Sequence, residues 1–325
     1  MIDNLKLRNV FSSLAYKIFF SKKKRFGNDI VALDYHYFTD NSITYPKLGL
    51  EVSYSVLDKQ LKILSEFFEP LETDFALRTF VQEKSNNTKP GILISIDDAD
   101  KSIKSALKYF IEYQIPITLF IPVGLCIDKN KVDGKRSRIL CRYHELFQRS
   151  ERLTLNEKSK IFDRIINSSF QQLQEYELKL GSPKKENNIT ASRELLSFKE
   201  IEEISKNPLV TIASHSMSHN SLAELPDNWL KWEIKKSTEY IKDLKGKYDL
   251  FAYPFGHKQS YNLNVKKILH EEGIKYAFST SSTIIKKSTD LLSLGRAPML
   301  NFDNKNYICG SALGAFHYWD KILQR

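Results

Sequence analysis

Two short stretches of the chain carry side chains that could bind a metal ion and move a proton. The first ends in Asp97 and Asp98, and the second, more than a hundred residues later, contains His215 and His219. Adjacent aspartates after an apolar run are unusual, because Asp is depleted in strands and like charges this close repel each other unless a cation or a proton relieves them. One carboxylate and two imidazoles would suit a divalent ion, and the second carboxylate could then act as a base.

Each stretch also has a structural interpretation. The aspartates could cap or salt-bridge a helix that starts near Lys101, since Asp is a favoured N-cap residue. Histidines such as His215 and His219, four positions apart, lie on one face of a helix or converge from a loop, but such pairs are also common on surfaces and in packing. The occurrence of both stretches in one chain favours the metal site.

Three further segments contain residues suited to an active site. Phe251–Gly256 ends in Pro and Gly, which constrain a tight turn and allow backbone N–H groups to approach a ligand. His36 follows an early apolar run, and Arg296 follows a late one. The planar fork of an arginine can orient a carboxylate through two hydrogen bonds. Taken singly, the first predicts only a turn, and a lone histidine is more often structural or exposed.

The elements that must position these residues alternate along the chain. From about residue 29, short apolar runs alternate with helical stretches, which predicts an α/β protein built from βα units around a parallel sheet. Each chemistry-bearing segment follows a strand candidate, so all of them would meet at the carboxyl edge of the sheet, where such folds gather their active sites. The strand candidates are Ile30–Tyr35, Gly91–Ile96, Ile117–Ile121, Leu209–Ala213, Leu250–Tyr253, Tyr276–Ser279 and Leu292–Leu294. The basic stretch 128–138 is predicted to be a solvated loop, or else a contact to an anionic substrate.

Composition limits the partners and the compartment. The chain has 325 residues and a formal net charge of +10, which favours an anionic partner such as a phosphate-bearing substrate or an acidic membrane surface. Nucleic-acid binding has little support, because the Lys and Arg residues are dispersed and no recognition motif occurs. The three cysteines, an odd number without C-x-x-C spacing, indicate neither a disulfide framework nor a thiolate metal site.

Residues 1–28 are predicted to form an N-terminal extension, and residues 29–325 a barrel domain. Apolar residues recur at helical spacing in the extension, which ends in a basic run and so predicts an amphipathic helix; they are Leu7, Val10, Phe11, Leu14 and Ile18. The helix either packs on its own domain or attaches residues 1–25 to an anionic membrane surface. No secretory signal or spanning segment is evident, so we expect a cytoplasmic protein, peripheral at the inner face of the membrane if the helix attaches there.

Together these segments resemble the motifs of the polysaccharide deacetylase family, also called the NodB-homology or carbohydrate esterase 4 group. Its first motif, Thr-Phe-Asp-Asp-Gly, is matched by Ser95–Ala99 at both aspartates but not at the aromatic residue or the glycine. Its second, His-Ser/Thr-x-x-His, is matched in full by His215–His219. One branch carries Phe-Ala-Tyr-Pro-Tyr-Gly, similar to Phe251–Gly256, with an early Tyr-His and a late Arg-containing segment, similar to Tyr35–His36 and Gly295–Pro298. The likeness extends over residues 30–300.

The resemblance implies a distorted (β/α)7 TIM-like barrel with a metal-dependent active site. It implies that Asp98, His215 and His219 bind a divalent ion, most simply Zn²⁺, with Co²⁺, Ni²⁺, Mn²⁺ or Fe²⁺ as alternatives. Asp97 would be the general base. The remaining roles are the proton donor His36, the orienting residue Arg296, and the substrate-contacting turn residues Tyr253, Phe255 and Gly256, with the Phe255 N–H stabilising the oxyanion.

The implied reaction is hydrolysis of an N-acetyl group, with a formyl group as the alternative, on an amino sugar. The substrate could be lipid-linked, nucleotide-linked or an oligosaccharide, as a precursor in surface polysaccharide biosynthesis. The competing hypothesis is a catalytically inactive barrel that binds a glycan or glycolipid in a biosynthetic complex. Ala99 in place of the motif's glycine favours that alternative, whereas the intact aspartates and histidines oppose it.

Overall fold

Seven parallel strands form a nearly closed barrel in the computed structural model. The model describes residues 30–40, 50–80, 89–149, 153–181 and 194–315, together with Val10, Ser13, Leu14, Tyr16 and Lys17. The barrel strands are β1 (Ile30–Tyr35), β5 (Gly91–Ile96), β6 (Ile117–Ile121), β7 (Val210–Ser214), β8 (Leu250–Ala252), β9 (Tyr276–Phe278) and β10 (Arg296–Pro298). Their order is β10-β1-β5-β6-β7-β8-β9. The predicted (β/α)7 barrel is confirmed.

Helices surround the barrel, and three short strands lie beside it. The helices are α1 (Tyr54–Phe67), α2 (Thr73–Phe80), α3 (Ile103–Glu112), α4 (Val123–Cys126), α5 (Val132–Arg149), α6 (Leu155–Ile166), α7 (Phe170–Leu180), α8 (Phe198–Ile204), α9 (Asp227–Asp243), α10 (Leu263–Glu271) and α11 (Lys305–Ala312). The short strands β2 (Tyr37–Thr39) and β3 (Glu51–Ser53) pair with each other, and β4 (Glu69–Pro70) pairs with β5.

Side chains on the barrel strands alternate between two environments, as the two-residue period of a strand requires. Leu33 and Ile94 belong to the large hydrophobic core between the sheet and the outer helices. Ala32, Leu93 and Ala213 belong to a smaller apolar cluster inside the barrel. This inner cluster fills the lower barrel, so polar side chains at the next inward positions lie above it.

Two elements differ from the sequence prediction. The last strand is not Leu292–Leu294 but Arg296–Pro298, where a buried charge and a proline hid the strand pattern; Leu294 makes only an isolated bridge to Phe278. The basic stretch 128–138 is not a loop throughout, because most of it forms the first turns of α5. Of its charged side chains, Lys135 pairs with Glu177, Arg136 pairs with Asp133, and Arg138 donates to the Leu125 carbonyl oxygen, which allows this part of the helix to pack.

Most of the predicted N-terminal helix lies outside the described residues. Val10, Ser13 and Leu14 are helical. Ser13 donates a hydrogen bond to Asn304 at the start of α11, and Tyr16 packs against the main core. Val10 and Leu14 are 63% and 52% exposed. Within the described residues, no helix combines the length and apolar character needed to cross a membrane.

Candidate metal centre and active site

The site lies in a polar layer directly above the inner apolar cluster. Successive inward positions on a strand are two residues apart, so Asp34 follows Ala32 and His215 follows Ala213. Ser95, two residues beyond Leu93, is paired in register with Asp34. The sequence prediction that strand ends share one edge therefore holds for the described site residues.

The three predicted metal ligands converge. The Asp98 Oδ1 atom lies 3.1 Å from His219 Nε2 and 3.5 Å from His215 Nε2. Ligands about 2.0–2.1 Å from a tetrahedral Zn²⁺ lie about 3.3 Å from each other. The spacing of these three atoms therefore fits a small divalent ion, and a carboxylate with two imidazoles is a donor set that such ions accept.

Hydrogen bonds orient two of these ligands. His215 Nδ1 lies 2.8 Å from the Ala252 carbonyl oxygen, which requires Nδ1–H to donate and leaves the Nε2 lone pair toward Asp98. The Tyr37 hydroxyl donates to Asp98 Oδ2 at 2.5 Å, on the side away from the imidazoles. Burial alone would raise the pKa of Asp98, but His219 and His215 hold it well below its usual range. Asp98 is thus an ionised carboxylate at the candidate metal site.

Left-handed backbone conformations are concentrated at this site. Of the seven non-glycine residues with positive φ among those described, five lie here: Asp98, Ala99, Ser216, His219 and Phe255. Such a conformation costs about 1–2 kcal/mol per residue. The surrounding contacts must therefore hold the two ligand loops in shape.

The second aspartate, Asp97, is paired with an arginine. Arg296 donates from Nη1 and Nη2 to the two Asp97 carboxylate oxygens, both at 2.7 Å. The same guanidinium donates to Asp34 at 3.2 Å, to Ser95 at 3.1 Å and to the Ser279 carbonyl at 3.3 Å. All five residues of this network are buried. Arg296 therefore contacts a carboxylate, that of Asp97, which it can orient as the sequence predicts.

This pairing sets the charge of the candidate base. Burial would raise the pKa of Asp97, but the Arg296 guanidinium, together with His215, holds it below its ordinary value. Asp97 Oδ2 lies 3.7 Å from His215 Nε2, close to the ligand cluster but outside it. Asp97 is therefore ionised at neutral pH and adjacent to the candidate metal ligands.

His36 lies on the other side of the same layer. Its Nδ1 atom is 3.9 Å from Asp34 Oδ2, and its side chain is 14% exposed. Burial raises the pKa of Asp34 to about 6, with Arg296 opposing part of the rise. Asp34, His36 and Asp97 are also close enough to share a cation, but the Arg296 guanidinium already pairs with both carboxylates. The first cluster is the better metal site.

The turn after β8 places the three predicted substrate-contacting residues differently. Tyr253 is fully buried, stacks on Tyr261 and donates its hydroxyl to the Leu292 carbonyl. Phe255 is 43% exposed, and its ring packs against His219 with centroids 5.0 Å apart. Gly256 has φ +62, and a Cβ there would lie 2.7 Å from Thr280, so only glycine fits. Phe255 is thus the residue of the three that borders the metal ligands with an exposed ring.

Several contributors to the site carried no usable pattern in the sequence. Asp34 and Tyr37 contact Arg296 and Asp98 only because neighbouring strands bring them together. The buried Glu233 on α9 contacts the loop between the two histidines. Asp34 and Tyr37 flank His36 in sequence, and that proximity was the one available indication.

Comparison with known proteins agrees with this geometry. A family model described as polysaccharide deacetylase matches residues 84–277, which is more than half of the chain. None of the curated protein sequences matches with significance. The matched segment contains both aspartates and both histidines of the candidate metal centre.

Three solved structures share the fold at low sequence identity. The deacetylase PplD from Streptococcus pyogenes, in complex with acetate, aligns with a TM-score of 0.59 and 17% identity over 87% of this chain and 98% of that one. IcaB from Ammonifex degensii gives 0.55 and 16% over 89% and 97%. A de-N-acetylase from Aggregatibacter actinomycetemcomitans gives 0.54 and 13% over 85% and 96%. At these identities the likeness establishes the barrel.

Proposed function

This chain belongs to the polysaccharide deacetylase family, and on that premise we propose that it is a metal-dependent hydrolase that removes the N-acetyl group from an amino sugar. The observation that carries the proposal is the convergence of Asp98, His215 and His219 beside an ionised Asp97. A binding protein has no need to hold two adjacent carboxylates together. A solved de-N-acetylase shares the fold.

In the proposed reaction, Asp98, His215 and His219 would hold the divalent ion, which we take to be Zn²⁺. When bound, such an ion polarises the amide carbonyl and lowers the pKa of a water molecule. The chain's own residues do the rest. Asp97 accepts a proton from the attacking water, and Arg296 keeps the Asp97 carboxylate oriented and ionised until it does.

The tetrahedral intermediate carries a negative charge that needs a hydrogen-bond donor. The backbone N–H of Phe255, in the turn next to His219, is the proposed donor. When the C–N bond breaks, the amine requires a proton, and we assign its delivery to His36, with Asp34 on the Nδ1 side of the ring. The products are acetate and the free amino sugar.

The decisive test of this function is release of acetate from three N-acetylated substrates: a nucleotide sugar, a lipid-linked sugar and a chito-oligosaccharide. We expect release from at least one of them, with the first two preferred because the +10 charge favours a phosphate-bearing carrier. A chelator should abolish release, and added Zn²⁺ should restore it. No acetate from any substrate with a folded, Zn²⁺-loaded protein would favour the glycan-binding alternative.

We also propose that the protein works on the cytoplasmic side, at an anionic membrane surface. Val10 and Leu14 lie more than half exposed, while Ser13 and Tyr16 contact the barrel. The segment around them contains Lys6, Arg8 and the run 22–25 (KKKR). An apolar face flanked by basic residues binds anionic lipids through burial and charge. The three buried free cysteines suit a reducing compartment.

Deletion of residues 1–25 tests this attachment. The full-length chain should sediment with vesicles that contain phosphatidylglycerol, and the truncated chain should stay in the supernatant. Vesicles of phosphatidylcholine alone serve as the control, because they lack the negative charge that the basic residues need. Equal sedimentation of both chains with the anionic vesicles would contradict the proposal.

A further inference from the structure

Glu233 on α9 is a buried carboxylate outside the proposed catalytic set. Its exposure is 0%, and a buried charge of this kind is strongly unfavourable unless it is paired or hydrogen-bonded. No cation neutralises it in the contacts of the described residues. Five hydrogen-bond donors surround it instead: Met217 N–H, Ser218 N–H, Ser218 Oγ, Asn220 Nδ2 and Trp229 Nε1.

Most of these donors belong to the loop that joins the two histidine ligands. Glu233 Oε2 accepts from the backbone N–H groups of Met217 and Ser218, both at 2.9 Å. Oε1 accepts from the Ser218 hydroxyl. Met217 and Ser218 lie between His215 and His219, so the carboxylate fixes the backbone midway between the ligands.

The other side of the loop is held by α4. Val123 N–H donates to the Ser216 carbonyl at 3.0 Å, and Gly124 N–H donates to the Met217 carbonyl at 2.9 Å. A Cβ on Gly124 would lie 2.8 Å from that same carbonyl oxygen. The loop is therefore clamped between α4 and Glu233.

The loop needs such a clamp because its backbone is strained. Ser216 has φ +68 and His219 has φ +58, both in the left-handed region. Without external hydrogen bonds, the loop would relax toward ordinary dihedral angles and the two imidazoles would separate. Preorganised ligands bind a metal more tightly, because less conformational freedom is lost on binding.

We propose that Glu233 is a positioning residue that sets the metal affinity of the site by holding the His215–His219 loop. This proposal rests on the proposed function only because it takes Asp98, His215 and His219 as the metal ligands. In the contacts that the structure describes, Glu233 does not touch Asp98 or the imidazole of His215 or His219. Its effect is transmitted through the two backbone N–H groups and the serine hydroxyl.

The test is Glu233→Gln, which preserves shape but replaces one acceptor oxygen by an NH₂ group. In either amide orientation, that group faces donors that can no longer be satisfied: Met217 and Ser218 N–H on one side, or Trp229 Nε1 and Asn220 Nδ2 on the other. We expect Zn²⁺ affinity, measured by competition with a chromophoric chelator, to fall about 10–100-fold. The visible absorption bands of the Co²⁺-loaded protein should also change.

Glu239→Gln is the matched control, because Glu239 lies on the same helix and pairs only with Lys236 among the contacts described. It should leave Zn²⁺ affinity and the Co²⁺ spectrum as in the wild type. Unchanged affinity and spectrum in folded Glu233→Gln would overturn the proposal. Circular dichroism establishes whether each variant is folded.

If Glu233→Gln does not fold, Ser218→Ala decides the question. It removes one bond to the carboxylate and leaves the charge satisfied by the other donors, so Zn²⁺ affinity should fall about three- to tenfold. Wild-type affinity in this variant would overturn the proposal. Measurements of Zn²⁺ affinity and of the Co²⁺ spectrum need no substrate. Failure to release acetate would therefore contradict the proposed function but would not test the role of Glu233.

Discussion

Replacing Asp97 by Asn is expected to lower kcat for deacetylation by about a hundred- to ten-thousand-fold, the range that general base catalysis contributes. Zn²⁺ affinity should stay within about threefold of the wild type, because the ligand atoms belong to Asp98, His215 and His219. Acetate release at saturating substrate and chelator competition for Zn²⁺ measure the two quantities on the same preparation. Unchanged turnover would remove Asp97 from the mechanism.

Two further variants separate proton transfer from metal binding. Asp98→Ala should lose metal and activity together, since it removes the carboxylate that faces both imidazoles. His36→Ala should keep the metal and lose rate, because the leaving amine would lack its donor. Full activity in His36→Ala would assign the acid role to another group. These contrasts distinguish a base, a ligand and an acid that all lie in one polar layer.

Replacing Arg296 by Met is expected to destabilise the fold by about 3–5 kcal/mol, because it leaves the buried carboxylates Asp97 and Asp34 without their shared counter-charge. The side chain of Arg296 is fully buried and Asp97 is almost so, which shields the unpaired carboxylate from bulk water. Urea unfolding in the presence of a chelator measures the loss without a contribution from bound metal. Activity should fall as well, since Asp97 would lose its two-point orientation.

The destabilisation should depend on pH, and its sign follows from the carboxylate pKa values. In the wild type, the pKa of Asp97 is lowered, so its contribution to stability is present above its unfolded pKa and is lost only as the pH falls through the folded value. Without Arg296, less positive charge offsets the effect of burial, so the pKa of Asp97 in the folded state rises. The contribution of Asp97 to stability is then greatest at low pH and is lost as the pH rises through that folded pKa.

Arg296→Met should therefore lose more stability, relative to the wild type, at pH 8 than at pH 5. Arg296→Lys is the matched variant, because it retains a positive charge but cannot form the two parallel hydrogen bonds to Asp97. It should be the more stable of the two and should still show reduced kcat. An equal loss at both pH values in Arg296→Met would mean that the pair is not an important source of stability.

The departures from the family motif do not disrupt the site. Ala99 stands where the motif has glycine, yet it adopts φ +54 and is fully buried behind Asp98. The turn forms with alanine at a cost of about 1–2 kcal/mol. Ile96 replaces the motif's aromatic residue and packs in the main core. Neither residue displaces Asp97 or Asp98 from the candidate site.

The sequence by itself indicated the parallel βα architecture and the candidate metal ligands. Apolar runs followed by polar residues predicted the strands, and the carboxyl edge of a parallel sheet is where such residues must gather. The residue types of Asp97, Asp98, His215 and His219 then indicated the chemistry. These features are local in the chain, so they can be seen without knowing which strands are neighbours.

Only the tertiary structure decided what holds those residues in place. Arg296 and Asp97 are 199 positions apart, and their pairing depends on β10 and β5 flanking β1 in the nearly closed barrel. The acceptor role of Glu233 depends on α9 packing against a strained loop. Buried charges and left-handed turns are unfavourable alone. They persist because elements distant in the sequence supply the hydrogen bonds that they need. A local sequence pattern does not show which distant residues will form those hydrogen bonds.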